Sequence, residues 1–341
     1  MSTITTDKRA RPLLSDAQKD LIQKFAALGS LLALVVVFAA TSQAFFSVGN
    51  GMTIALQVTS IALLGIGMTC VIITGGIDLS VGSVLALAGV VAALAVKEWA
   101  MPVPVGMTLG ILTGAACGAI NGLTVTKLKL PPFIATLGMM MVARGVALQL
   151  TGARAVSGLG ESFGELGNGA LMRIVSIGDD GFPNVTFPGI PYPVMLMIVI
   201  AVAVAIMLRR TVRGRHIYAV GSNAEAARLS GVDVARVTLS TYVLSGTLAG
   251  LTGCVLMSRL VTAQPNEGVM YELDAIAAAV IGGTSLMGGV GTISGTMIGA
   301  FVIGILRNGL NMNGVSAFTQ QIIIGLVILG TVWIDQLRNR R

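Results

Sequence analysis

Side chains able to do covalent or acid–base chemistry are few in this 341-residue chain, and their placement rules out most catalysis. The one histidine, His216, stands among arginines, so a histidine-based triad or metal site within the chain is excluded. Cys70, Cys117 and Cys254 lie far apart in apolar runs, without metal-ligand spacing, and read as small packing residues. No G-x-x-x-x-G-K-S/T phosphate loop occurs, so any ATP would be hydrolysed on another chain. What remains is a handful of polar groups set in apolar sequence. Asp78 and Ser80 follow the helix-breaking pair Gly75-Gly76. Asp and Ser accept backbone N–H bonds at helix starts, so Asp78 is either the cap of the next helix or a polar group facing a transport pathway. A second pair, Gly282-Gly283, shares a GGxxL core with the first. The two are either matching elements of an internal repeat or independent turns. Arg144 falls well inside an apolar run, where a charge is costly. It must find backbone carbonyls or a polar solute. Arg307 and Asn308, with Asn311 nearby, read as side chains reaching for the membrane surface.

The most distinctive stretch is a basic, polar island at residues 209–237, RRTVRGRHIYAVGSNAEAARLSGVDVARV. Within it Asn223 is a plausible N-cap, Glu225-Ala226-Ala227-Arg228 favours helix, and Gly231 stops it or admits another backbone. Arginine-rich short loops beside membrane spans stay on the cytoplasmic side, where such a helix is free to dock onto a soluble partner.

The elements that hold these groups are transmembrane. The chain is 54% hydrophobic with 11% charged residues, against about 25% charged in soluble domains, too little polar surface to cover a soluble globule. Gly stands at 44 positions, and small residues let membrane helices approach closely. Spans of about 20 apolar residues are read at 27–46, 52–73, 79–96, 102–126, 132–151, 193–208, 238–258, 273–286, 291–310 and 315–335, the eighth short enough to be a half-helix or tilted. With both termini inside, sixteen of the 22 Lys and Arg face the cytoplasm. Four (Lys97, Arg154, Arg173, Arg259) face outward, and Arg144 and Arg307 fall within spans. Shifting the topology by one span reverses that ratio, so the charge sorting carries the assignment. The net charge of +7 is therefore explained by topology rather than by nucleic acid. The first span, preceded by basic residues, reads as an uncleaved anchor despite the TSQA sequence at 41–44.

The expected fold is thus an all-α polytopic membrane protein of about ten spans. Residues 1–25 form a cytoplasmic tail, 26–336 one transmembrane domain, and 337–341 a second tail. Within the domain lie an external loop at 152–190, with acidic Glu161, Glu165, Asp179 and Asp180, and the cytoplasmic loop at 209–237.

Five sequences together bring a family into view: VIITGGIDLSVGS at 71–83, PFIATLGMMMVAR at 132–144, RLSGV at 228–232, AQP at 263–265 and YELDAIAAAVIGGTSLMGGVG at 271–291. They resemble the ribose-type permeases of bacterial ABC monosaccharide importers, from about residue 52 to 335. Branched-chain amino-acid permeases are more distant and lack the GGIDLS pattern. The external segment around 173–190, with GDDGFPNVTFPG, departs from the pattern. The resemblance implies an inner-membrane subunit that works by alternating access. Its partners would be a second permease copy (the same chain or a different one), ATPase subunits carrying the ATP and magnesium, and a periplasmic sugar-binding protein. It implies no cofactor in this chain, and that residues 223–231 seat in the ATPase. An ion-coupled secondary transporter and a non-transport scaffold are the rival readings. The first of these would need more acidic residues in the spans.

Overall fold

A computed structural model describes residues 16–177 and 183–339. A helix lies in each of the expected spans, though not always over its whole length: α1 (Asp16–Thr41), α2 (Val48–Ile73), α3 (Val81–Lys97), α4 (Val103–Thr126), α5 (Pro132–Thr151), α7 (Tyr192–Arg210), α10 (Val234–Leu260), α11 (Tyr271–Ile281), α12 (Ile293–Met312) and α13 (Ala317–Asn339). Six of these, α2, α4, α5, α7, α10 and α12, are long and apolar enough to cross a membrane. The eighth expected span is realised by α11, which is only 11 residues long, followed by a turn to Thr292. A helix this short covers about half the ~30 Å hydrocarbon core at 1.5 Å per residue. Helix also extends into both expected tails, beginning at Asp16 and ending at Asn339.

Glycine and alanine decide how these helices meet. On α4, Gly106, Gly110, Gly114, Gly118 and Gly122 recur every fourth residue and are all buried. They form a groove one helical row wide. Helix α10 lies in it, presenting Gly246 and Gly250. A Cβ at Gly114 would overlap the Gly246 carbonyl oxygen, and one at Gly118 the Tyr242 carbonyl oxygen. Such close backbone approach is how helices gain dispersion contact in a bilayer, where apolar burial alone gives no drive. The same device joins α3 to α10 at Gly89 and Gly253 and α11 to α12 at Gly282 and Gly295. Helix α2 runs through the centre and is buried from Val58 to Ile73, whereas α5 and α7 bury only a few residues each and turn broad apolar faces outward. Cys70, Cys117 and Cys254 are buried and free, as packing residues would be. Met139 packs inward while Met141 faces out.

The segment at 152–190, expected as a loop, is built. Helix α6 (Glu161–Asn168) packs onto the end of α10, with Phe163 fully buried. The Ser258 hydroxyl donates to the Phe163 carbonyl at 2.6 Å and accepts from Gly167 N–H at 2.8 Å. Asn168 donates to the carbonyls of Ser258 and Arg259. Two short antiparallel pairs follow. Strand β1 (Ala170–Leu171) pairs with β4 (Ile190–Pro191), and β2 (Ile174–Ile177) pairs with β3 (Pro183–Phe187). The hydrophobic periodicity of the spans says nothing about this region, because its order comes from polar contacts to α10. Glu161 and Glu165 are exposed, and Asp179 and Asp180 lie outside the described residues.

Candidate functional site

The break between α2 and α3 is closed by backbone turns. Gly75 N–H bonds to the Ile72 carbonyl at 2.8 Å and Gly76 N–H to the Val71 carbonyl at 3.1 Å. Gly75 takes φ +82°, the left-handed region open to glycine. Gly76 leaves room for the Tyr242 hydroxyl, which a Cβ there would meet at 2.5 Å. Asp78 is buried. One of its oxygens accepts from Ser80 N–H at 3.0 Å and the Ser80 hydroxyl at 2.6 Å. Asn121 of α4 stands 3.4 Å from the same oxygen and donates to the Ser80 hydroxyl at 2.8 Å. The other oxygen accepts from the Ser245 hydroxyl of α10 at 2.9 Å. Asp78 is not the cap of α3, whose first residue follows Ser80 and whose start has no side-chain cap; instead it ties the break to α4 and α10. Asn121 and Ser245, which complete this buried node, went unnoticed in the sequence. A lone amide or hydroxyl inside an apolar run was their only signal.

Arg144 of α5 donates to the backbone carbonyls of Pro265 and Glu267, the latter at 2.8 Å. Of the two roles open to it, the carbonyl contact is the one seen, and it pins α5 to the connection between α10 and α11. Arg307 does not simply reach for the membrane surface. Its guanidinium donates to both carboxylate oxygens of Asp274 at 2.8 Å, joining α12 to α11. Asp274, 4% exposed at its side chain, was overlooked in the sequence. An arginine and an aspartate both inside spans are a pair to be looked for, since neither is tolerated alone there.

The island at 209–237 folds as two helices, α8 (Val212–Ser222) and α9 (Ala224–Leu229). Asn223 caps α9, its side-chain oxygen accepting Ala226 N–H at 2.9 Å. Gly231 ends it at φ +85°, with Val232 N–H returning to the Ala227 carbonyl. Ala227 is the buried contact of α9, while Leu229 is 80% exposed. Glu225 and Arg228 pair at 2.6 Å on the exposed face. The hydrogen bond to Glu225 raises the already high pKa of the Arg228 guanidinium. Ahead of α9, Gly221 lies directly on the end of α2, where a Cβ would overlap the Ile73 carbonyl oxygen. The same carbonyl accepts Gly289 N–H at 2.9 Å, and Tyr218 donates to the Gly291 carbonyl at 2.7 Å. Both Gly-Gly turns therefore meet beside the end of α8. Gly283, Gly288 and Gly289 all take positive φ to make the second turn.

At the opposite end of the same helices lies a polar cavity of about 230 Å³ between α2, α10, α11, α12 and α13. Its walls include Gln57, Ser60, Arg307, Asn308, Asn311 and Gln320. Asn308 donates to Asn50 at 3.0 Å, leaving its own buried carbonyl oxygen without a partner. Among the described residues no group of three or more His, Cys, Asp or Glu is placed to hold a metal ion.

Comparison with known proteins agrees with this architecture. The family model for the branched-chain amino acid transport system / permease component matches residues 50–332. The chain is 42% identical to the ribose import permease protein RbsC of Bacillus subtilis (strain 168), over 93% of this chain and 94% of that one. It is also 42% identical to RbsC of Escherichia coli (strain K12), over 91% and 92% of the two chains. It is 34% identical to the xylose transport system permease protein XylH of the same strain, over 94% and 93%. No solved structure matches. A multi-pass helical chain matched over more than nine-tenths of its length in this way belongs to the family of transport-system permease components, on its ribose-type branch.

Proposed function

We propose that this chain is the membrane-spanning subunit of a bacterial inner-membrane ABC importer that passes a monosaccharide or similar polyol. A separate ATPase drives it, and a periplasmic binding protein delivers the solute. The chain crosses the membrane ten times with both termini inside, and a second permease copy completes the pathway. The observation that carries the reading is the seat of α9. A capped helix exposes Leu229 and follows directly on α8, whose end lies against the end of α2 and the α11–α12 turn. Met287, 83% exposed, stands in that turn, which packs on the end of α8 just ahead of α9 and so adds to the same surface. A push on this surface from a closing ATPase reaches two helix breaks at once, the condition for re-packing spans between two states. Relatives named for ribose and xylose import support a neutral, hydroxylated solute. Ion coupling is not favoured, because Asp274 is engaged by Arg307 and Asp78 by three side chains.

The test is reconstitution of the chain in liposomes with its ATPase and binding protein. Import of D-ribose or D-xylose that requires internal ATP supports the reading. Import by the permease alone, driven by a proton or sodium gradient, contradicts it.

A further inference from the structure

We infer that the cavity between α2, α10, α11, α12 and α13 is a resting site for a neutral polyhydroxylated solute within each permease chain. This rests on the transport reading and adds where the solute stops. The cavity of about 230 Å³ is smaller than the roughly 300–1,000 Å³ of sites for drug-sized ligands, which suits a small solute. Half of its polar lining is amides, Gln57, Asn308, Asn311 and Gln320, beside Ser60, Tyr271 and two arginines. Each amide both donates and accepts, as a hydroxyl does, so such a wall matches a polyol from any side. Arg259 and Arg307 line the same space; Arg307 has its charge balanced by Asp274, and both guanidiniums are donors that a hydroxyl oxygen accepts from.

Two further features set this cavity apart from a packing defect. Asn308 is 5% exposed, and its buried carbonyl oxygen has no hydrogen-bond partner, an arrangement that costs stability unless some state satisfies it. The Gln57 and Asn311 side chains are held by no hydrogen bond to other described residues, so the fold itself leaves them free for another use. The location also fits the cycle. Gln57 and Ile73 lie on one helix, α2, and at 1.5 Å per residue they are separated by about 24 Å. The cavity thus sits at the end of α2 away from α9, and a shift of α2 at Ile73 is transmitted to its wall.

The experiment uses the complete reconstituted importer, with D-ribose and D-xylose as probes. Gln57→Leu and Asn311→Leu each remove the hydrogen-bonding groups and keep the volume. The ATP-driven import rate at saturating sugar should fall about three- to tenfold, the loss of one hydrogen bond to a hydroxyl, while the permease still co-purifies with its ATPase. Gln57→Asn, which keeps the amide, should recover at least half the rate. In Gln57→Cys, labelling by a small hydrophilic thiol reagent should slow when sugar is supplied during turnover, and not when ribose 5-phosphate replaces it. Unchanged import in both leucine variants, or labelling indifferent to sugar, overturns the proposal. If a leucine variant no longer binds its ATPase, the Gln57→Asn rate and the labelling decide. A wild-type complex that imports neither sugar fails the transport reading instead, which separates the two.

Discussion

Asp78 shows how much one side chain can hold in an apolar interior. Its carboxylate takes hydrogen bonds from Ser80 and Ser245, with Asn121 alongside, on three different helices. The sequence showed that it followed a helix break and that it was costly in a membrane. It did not show the partners, which arrive from 43 and 167 residues away. Asp78→Asn keeps an acceptor for Ser80 and presents an amide that Ser245 is able to accept from. It should retain most of the assembled protein and most of its transport. Asp78→Leu orphans several buried donors at about 1–3 kcal/mol each. Its yield from membranes, and its capture of the ATPase, should collapse. Asp78→Leu assembling normally while losing only transport would mean that the carboxylate serves the solute. Arg144 was legible in the same partial way: its need for carbonyls followed from burial, whereas Pro265 and Glu267 as their source did not.

Among the elements, α4 and α10 make the tightest junction, and its cause is glycine at every fourth residue of α4. The prediction is positional. Gly118→Val drives a side chain into the Tyr242 carbonyl, and overpacking of this kind costs about 1–3 kcal/mol or more. Gly138→Val on α5 meets nothing within 4 Å. Thermal unfolding in detergent should show a lowered midpoint for Gly118→Val and a near wild-type midpoint for Gly138→Val. Equal effects would mean that helix propensity, not close approach, explains the glycines. Spans were readable because length and hydropathy are local properties. The abundance of glycine predicted close packing without saying which helices meet. The segment at 152–190 was not readable, since α6 is ordered by contacts to the far end of α10.

For the whole molecule, the two ends of α2 organise the account: a polar cavity near Gln57 and a contact with the α8–α9 island at Ile73. Arginine sorting is the basis for proposing that the island faces the cytoplasm, and a direct check is available. Ser222→Cys should resist a membrane-impermeant thiol reagent added outside intact cells, and Ser162→Cys on α6 should react. The reverse pattern would invert the topology. The island's helix and cap were legible in the sequence because Asn223 and Gly231 flank an alanine-rich run. Its seat on Ile73 and Gly289 was not, because it joins three segments distant in the chain. The central claim is that force enters through α9, and Leu229 tests it most directly. This side chain is 80% exposed and makes no part of the core, so Leu229→Asp leaves the fold intact. Gly231→Trp is the weaker probe, since φ +85° would strain any side chain there even though nothing in this chain obstructs it. ATPase capture and ATP-driven sugar import by the reconstituted Leu229→Asp complex is therefore the measurement. The account predicts normal membrane insertion with both capture and import reduced at least tenfold. Wild-type capture and import would contradict it and place the drive elsewhere.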